Sequence, residues 1–410
     1  MSRPPLAIFD DDAGRWGPLT DRRPVFDLRS GAHTTRERIE RALGSAERLI
    51  VPARLAEVTA ERHSPIAVNT PLNAGHWLLV NGRWPALADA PRLAALPADH
   101  ALLQADGSIV AAHLPADVAQ QLIEARFLDL PAQVQTQRLE TDALLARPWH
   151  LLHALEPALQ ADLAASALPD VRDDPPTGMH IVGAHPVRIA PDATVLPAVV
   201  VNVEKGPVVI DHGARIEPFA ALEGPCYIGR RSHLAAHTML RAGTSIGPHC
   251  KVGGEIKHAI IQGHSNKAHL GYLGDAIVGQ WCNLGADTNV SNLKNTYGPV
   301  RVQLEPNEPP EDTGRTNHGP IIGDFVRTAI GSRLLTGSVV ATGCMLALSS
   351  FVPKHVPRFT FCTDAGASIH DLPALLATAE RMMQAHAVHL TDAEADLLRE
   401  LHTRATAQLA

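Results

Sequence analysis

The sequence predicts two domains, an α/β domain over residues 1–150 and a parallel β-helix over residues 181–365, joined by a linker at 151–180 and followed by a helical cap at 366–410. Three observations predict this. From residue 210 onward an aliphatic residue returns every six positions. Before residue 150, short apolar runs alternate with a helical pattern instead. The turn-rich stretch Pro169-Asp-Val-Arg-Asp-Asp-Pro-Pro176 separates the two textures, and apolar residues at helical spacing mark the tail.

The repeat is the stronger signal. Ile210, Ile216, Leu222, Ile228, Leu234, Leu240, Ile246 and Val252 form an unbroken series. The fifth position of each hexad is small: Ala214, Ala220, Cys226, Ser232, Thr238, Thr244 and Cys250. A triangular coil explains both columns. Each hexad supplies one short strand and one corner, the aliphatic residue points inward, and the small residue packs beside it. Corners are expected to take Gly, Asn or Asp, which tolerate positive φ. Three hexads make a coil, and stacked coils bury a continuous core. The strands of a β-sandwich stray too far from a fixed period to give this series. Weaker hexads flank it at Ile189, Val195 and Val201, then at Val278, Leu284, Ile322, Ile330 and Val340. The register breaks at 202–209, 257–277 and 291–320. A solenoid throws such segments outward, usually on its functional face. Cys226, Cys250, Cys282 and Cys344 all fall on fifth positions, so they are expected as small core residues. Periodicity leaves the hand of the coil open.

In the first domain, Leu6–Phe9 reads as a strand, 34–43 as a helix, and Ile66–Val68 and Trp77–Val80 as further strands, which suits an α/β sandwich. Residues 371–405 read as a helix pair or one long helix, with Leu375, Leu376, Ala379, Met382 and Met383 on one side. Solenoid ends need such covers.

Bulk properties exclude several classes. A net charge of -7 argues against nucleic acid as a partner, because phosphate binding needs a basic surface. Five cysteines, an odd number without close pairs, argue for a reducing compartment. The first apolar run is short and runs into Asp10-Asp11-Asp12, unlike a signal peptide. No window is apolar and uncharged over the length of a membrane span. A cytoplasmic protein without membrane contact is expected.

Residues 251–298 carry the densest chemistry. The segment contains Lys251-Val-Gly-Gly-Glu-Ile-Lys257, Lys267-Ala-His269-Leu-Gly-Tyr272-Leu-Gly-Asp275, Asn283-Leu-Gly-Ala286-Asp-Thr-Asn289 and Ser291-Asn292-Leu-Lys294. These strings resemble the acetyltransferase domain of the bifunctional enzyme that makes UDP-N-acetylglucosamine. The whole chain is similar to the shorter, divergent GlmU-like sugar nucleotidyltransferases. The resemblance implies a left-handed β-helix, a homotrimer, and acetyl transfer from acetyl-CoA to the amine of an amino-sugar phosphate such as glucosamine-1-phosphate. It makes His269 the general base and Asn292 the residue that orients the histidine or the amine. Lys257, Tyr272, Asn283 and Arg241 become substrate contacts, with Lys294 standing in for a family lysine whose place is Gly298. Ala286 and Ser332 line the acetyl-CoA arm.

The chemistry fits these residue types. An amine attacks a thioester only when unprotonated, and histidine is the base poised near neutral pH. Backbone N–H groups at coil corners can hold a developing oxyanion. Lys257, Arg241 and Lys267 are cations at hand for a phosphate. His233, His237, His249, His258 and His264 are expected on the coil surface, since their spacing follows the repeat and no metal-ligand rule. The sequence departs from the family at Met239, where an arginine is usual, and in a longer Pro-rich, acidic loop at 299–320.

The first domain carries its own resemblance. Strand 6–9, then Gly14-Arg15-Trp-Gly17-Pro-Leu-Thr20, then Arg23-Pro24 is similar to the nucleotide-binding start of sugar-1-phosphate nucleotidyltransferases, a Rossmann-like α/β fold. There, backbone N–H groups and basic side chains cradle a triphosphate. This makes Arg15, Arg23 and Asn81 the nucleotide-binding candidates, with Arg29 a further cation. The family places a metal-binding acid after a later strand; the analogous place reads Asn81-Gly82-Arg83, so Mg²⁺ is a cofactor of the family that this chain matches in part.

The expected function is therefore sugar-nucleotide synthesis: acetyl transfer to an amino-sugar-1-phosphate, with nucleotidyl transfer to the sugar-1-phosphate. Two rivals remain. One is an acyltransferase for another amino sugar with an inert first domain, which Met239 and Asn81 favour. The other is a non-catalytic hexapeptide-repeat scaffold, against which His269, Asn283 and Asn292 weigh.

Overall fold

The computed structural model describes residues 3–88 and 90–409. They form two compact units. One comprises the chain up to Arg15, Arg22–Leu28 and His33–Arg147, and the other Trp16–Asp21, Arg29–Ala32 and the chain from Pro148 onward.

The first unit is built on a seven-stranded mixed sheet. Its strands are β1 (Leu6–Phe9), β2 (Ala46–Ile50), β3 (Ala67–Val68), β4 (His76–Asn81), β5 (His100–Leu103), β6 (Ile109–Pro115) and β7 (Gln135–Arg138), in the order β3-β2-β1-β4-β6-β5-β7. Strand β1 lies central and parallel to both β2 and β4, whereas β6 is antiparallel to its neighbours. All four β1 side chains are buried, as in a strand covered on both faces, so no polar alternation shows in its sequence. Helix α1 (Thr35–Leu43) opens with a capping box: Thr34 accepts from the Glu37 N–H, and the Glu37 carboxylate accepts from the Thr34 N–H.

The second unit is a triangular parallel β-helix. Its short strands stack into sheets of nine, ten and six strands, the three faces of a prism. Each coil visits the nine-, the ten- and then the six-stranded face. On the first face Ile210 pairs with Ile228 and Ile228 with Ile246; on the second Ile216 pairs with Leu234 and Leu234 with Val252. All eight residues of the periodic series are at most 1% exposed, and they form one continuous core with the flanking coils. The five cysteines are free and buried in it, and burial pushes the Cys250 and Cys344 thiols up to about 12.

Stacked partners also locate the register breaks. The step is 18 residues from Ile210 to Ile228 and from Ile228 to Ile246, but 15 from Ile246 to Ile261 and 17 from Ile261 to Val278. It reaches 44 from Val278 to Ile322, where residues 291–320 leave the coil, and returns to 18 at Val340.

Two expectations need correction. Ile330 is not an inward residue; it is 77% exposed, and Thr328 fills the stack between Leu284 and Leu346. Ile322 and Val340, expected in the same series, are inward. The corners also differ. Positive φ falls on Arg231, His249, His264, Trp281 and Phe325 along one edge, and on Phe219, His237 and Asp287 along another. Each such residue bears a strain of about 1 kcal/mol. Stacking along the edge offsets it: the Phe219 and His237 rings lie 5.0 Å apart at 7°, and those of His249 and His264 4.8 Å apart at 8°.

Part of the stretch expected as linker is regular structure of the second unit. Helices α2 (Pro148–His153) and α3 (Leu155–Ala164) bury Trp149, Leu155, Leu159 and Leu163. The tail is a helix pair, α4 (Leu372–Gln384) and α5 (Asp392–Leu409). Leu375, Ala379 and Met383 are buried, while Leu376 and Met382 are half-buried. Leu375 reaches Gly343 beside Phe359 on the last coil. No helix among the described residues is long and apolar enough to cross a membrane.

Candidate active site

The six-stranded face presents Met239, Glu255 and Tyr272 in one row and Lys257 beside Gly274 in another. At the edge where this face meets the nine-stranded one lies a cleft of about 1000 Å³, lined by Arg241, Glu255, Lys257, His258, Asp275 and Arg315 among others. Strand geometry places these residues, since alternate side chains of a strand leave the same face. Arg241 donates to Glu223 (2.9 Å) and Glu255 (3.0 Å), and these hydrogen bonds hold its guanidinium above its ordinary pKa. Lys257 is exposed and forms no side-chain hydrogen bond among the described residues, so its ammonium is open to a ligand.

Asp275 organises the cleft. It is 3% exposed, and its carboxylate accepts from Arg315 Nη2 (2.9 Å) and Asn292 Nδ2 (2.7 Å) and lies 3.1 Å from His258 Nδ1. Burial alone would raise its pKa; the His258 and Asn292 hydrogen bonds and the Arg315 charge override that and hold it below the usual carboxylate range. The Asn292 amide also donates to the Tyr272 hydroxyl (3.2 Å). Burial pushes Tyr272 up to about 12, so it stays a neutral phenol, able to donate at physiological pH.

His269 stands at the opposite edge of the same face, three residues before Tyr272, with its ring exposed and no side-chain hydrogen bond among the described residues. The strand Tyr272–Gly274 between the two edges is about 10 Å long. The backbone under His269 is tightly fixed. Gly271 has φ +117°, and a Cβ there would collide with the Thr288 carbonyl.

Lys267 holds this corner from inside. It occupies an inward slot, paired with Val252 and 2% exposed, and its ammonium donates to the carbonyls of Gly253 (3.2 Å), His269 (2.6 Å) and Leu270 (3.0 Å). Burial lowers its pKa to about 8. Lys267 is thus no phosphate ligand, contrary to the sequence expectation; it is the internal fastening of the His269 turn.

The remaining candidates divide. Ala286 and Ser332 lie along the His269 edge on successive coils, where the Gly331 N–H donates to the Ala286 carbonyl (2.8 Å). Ser332 is 1% exposed and its hydroxyl donates to the Ala329 carbonyl (2.8 Å), so backbone rather than side chain is offered there. Asn283 is exposed on the ten-stranded face, the other flank of that edge. Lys294 lies in the excursion and donates to the Pro299 carbonyl (2.6 Å). Sequence reading missed Arg315, delivered to Asp275 by the same excursion; a basic residue in a register break was the only signal for it.

In the first unit, the turn after β1 is closed by its own charges. Arg83 clamps Asp11, with Nε 2.9 Å and Nη2 2.6 Å from its two oxygens, and Asn81 Nδ2 adds a third bond at 2.8 Å. Asn81 is fully buried and also donates to the Ile109 carbonyl (2.9 Å). Arg23 is 2% exposed, and the Arg15 N–H donates to the Ala146 carbonyl (2.9 Å). Asp10, buried and accepting from the Val25 N–H (2.8 Å), is pushed up to about 6 by burial. Arg29 belongs to the second unit, where its N–H donates to Gln262 (2.7 Å).

Comparison with known proteins gives the context. Residues 6–168 match the sugar nucleotidyl transferase family. The chain is 36% identical over 132 residues to the bifunctional protein GlmU of Gloeobacter violaceus, covering 32% of this chain and 25% of that protein. It is 31% identical over 172 residues to the GlmU of Jannaschia sp., covering 42% and 33% respectively. The chain thus spans about a quarter to a third of the length of the curated relatives it matches. Among solved structures, PerB from Caulobacter crescentus in complex with CoA and GDP-perosamine is 11% identical, with 90% of this chain and 99% of that chain covered and a TM-score of 0.15. The β-helix is seen directly in the strand register of this chain. Over residues 6–168 the chain is thus similar to the sugar nucleotidyl transferases, and part of it to the GlmU proteins.

Proposed function

We propose that the β-helix unit transfers an acetyl group from acetyl-CoA to the amine of an amino-sugar-1-phosphate. The observation that carries this reading is the Tyr272–Asn292–Asp275 array beside the uncommitted Lys257, on the face bounded by His269. Lys257 and Arg241 supply positive charge for the phosphate, and the Tyr272 phenol donates to a sugar oxygen. His269 accepts the amine proton as nitrogen attacks the thioester carbonyl. The C–N bond forms, the C–S bond breaks, and the imidazolium returns its proton to the CoA sulfur. The acetyl-CoA arm lies along the Ala286–Ser332 edge, held by backbone groups. Asn283 stands on the far flank of that edge, so it reaches substrate only when a second copy packs there, as a homotrimer would allow.

For the first unit the reading is nucleotide-sugar binding at the turn after β1 around Arg15, since Arg23 is buried away from a ligand. A Mg²⁺ ion does not fit the place where the family holds one. Asp11 is held by Arg83 and Asn81, and the stretch at the end of β4, Asn81-Gly82-Arg83, offers no acid. This favours a second reading, in which the first unit binds nucleotide without transferring it.

The test is CoA release from acetyl-CoA with glucosamine-1-phosphate, comparing the intact protein with His269→Ala. Release that falls by about 10²-fold or more in the variant supports the proposal. Equal release by both removes His269 as base, and no release by the intact protein removes this acceptor.

A further inference from the structure

The edge between the nine- and ten-stranded faces carries a group that acetyl transfer does not use. His249 and His264 sit on successive corners, both at positive φ, and their rings are parallel. His264 in turn stacks on Trp281, with centroids 4.3 Å apart. His386, in the turn after α4, is turned across this column at 80° to His249, 77° to His264 and 79° to Trp281. One ring nitrogen from each of the three histidines lies within 4.8 Å of the others.

We propose that His249, His264 and His386 form a binding site for a divalent transition-metal ion of the zinc class. Three imidazoles are the donor set such ions prefer. A tetrahedral ion with Zn–N distances of about 2.1 Å needs its nitrogens about 3.4 Å apart. The separation here closes to that value by rotating rings, because His386 hangs from a short turn, whereas the corners fix the backbones of His249 and His264. A ladder of stacked rings needs no fourth member set at right angles to it; an edge-on imidazole directs a nitrogen toward the column. The three protein ligands leave a position open to a cleft of about 430 Å³, whose wall also carries Lys251, Asn283 and Arg327. The two cations, Lys251 and Arg327, favour an anionic oxygen as the fourth ligand. The ion would also tie the C-terminal segment to two coils, a bond between elements far apart in sequence.

The proposal is tested on the full-length, chelator-treated protein with Co²⁺ as probe, by visible absorption and equilibrium dialysis. One Co²⁺ per chain is expected, with the visible bands of nitrogen-ligated, four- or five-coordinate cobalt, bleached by added Zn²⁺. His386→Ala and His264→Ala should each weaken binding at least tenfold. His386 lies outside the coils, so unchanged circular dichroism of His386→Ala keeps its result interpretable. No Co²⁺ retained by the intact protein, or affinity and spectrum unaltered in both variants, would overturn the proposal and leave the group as a stacked aromatic column alone.

Discussion

The Asn292 amide nitrogen lies 2.7 Å from the Asp275 carboxylate and thereby couples the excursion at 291–320 to the strand end that carries the cleft. Asn292→Ala removes this bond and the one to Tyr272. A lost buried hydrogen bond to a charged group is worth about 1.5–3 kcal/mol. The KM for the amino-sugar phosphate should rise about tenfold or more, while the KM for acetyl-CoA changes little. Steady-state kinetics with each substrate varied in turn checks the split.

Lys257→Ala removes an exposed, uncommitted cation of the cleft. Acceptor KM should rise by about 10- to 100-fold, the equivalent of one charge-assisted hydrogen bond. The penalty should shrink in high salt, where surface charges are screened for both proteins. Titration of KM against ionic strength separates this from a packing defect, which salt would leave in place.

Lys267 links stability to pH. Its pKa falls from 10.5 in the unfolded chain to about 8 in the fold. Between these values the unfolded chain holds more protons, so this group makes stability rise with pH. Below about pH 8 both states are protonated and the full burial penalty is present; above about 10.5 it is gone. The native protein should gain up to about 3 kcal/mol across that window relative to Lys267→Met, which has nothing to titrate there. Urea unfolding of both proteins at about pH 7.5, 9 and 10.5, which roughly spans the window, reads the difference.

In the first unit, Arg83→Ala leaves the Asp11 carboxylate buried beside Asn81 without its partner. Breaking a buried pair in this way destabilises by about 3–5 kcal/mol. Asp11→Asn combined with Arg83→Met should lose much less, because neither charge is stranded. Unfolding followed at the tryptophans for both variants tests the difference; equal losses would mean that the pair matters for packing and not for charge.

The coil was legible because its physics repeats. An inward slot every sixth residue has to be filled with an aliphatic side chain, and Ile210 to Val252 do so without a gap. The cleft was legible through the motif strings around Lys257 and Tyr272, which lie where the register breaks and so owe nothing to the repeat. Lys267 misled, because a lysine reads as a surface charge until the three carbonyls that accept from its ammonium are seen. Arg315 was hidden because a loop has no period to place it. The corner histidines obeyed the repeat, which concealed that the tail brings His386 to two of them. Ile330 was misplaced because the inward slot six residues after Ile322 is filled by Thr328, which no aliphatic pattern reveals.

The excursion begins and ends at nearly one point. The His318 N–H donates to the Asn292 carbonyl at 2.7 Å, and between those residues Arg301–Val302 and Glu311–Asp312 pair as a hairpin of their own. The coils above and below therefore never register how long the detour is. Such a pinched insert is a graft point: its length and its guanidinium can drift under selection for a new acceptor while the scaffold that fixes His269 stays untouched.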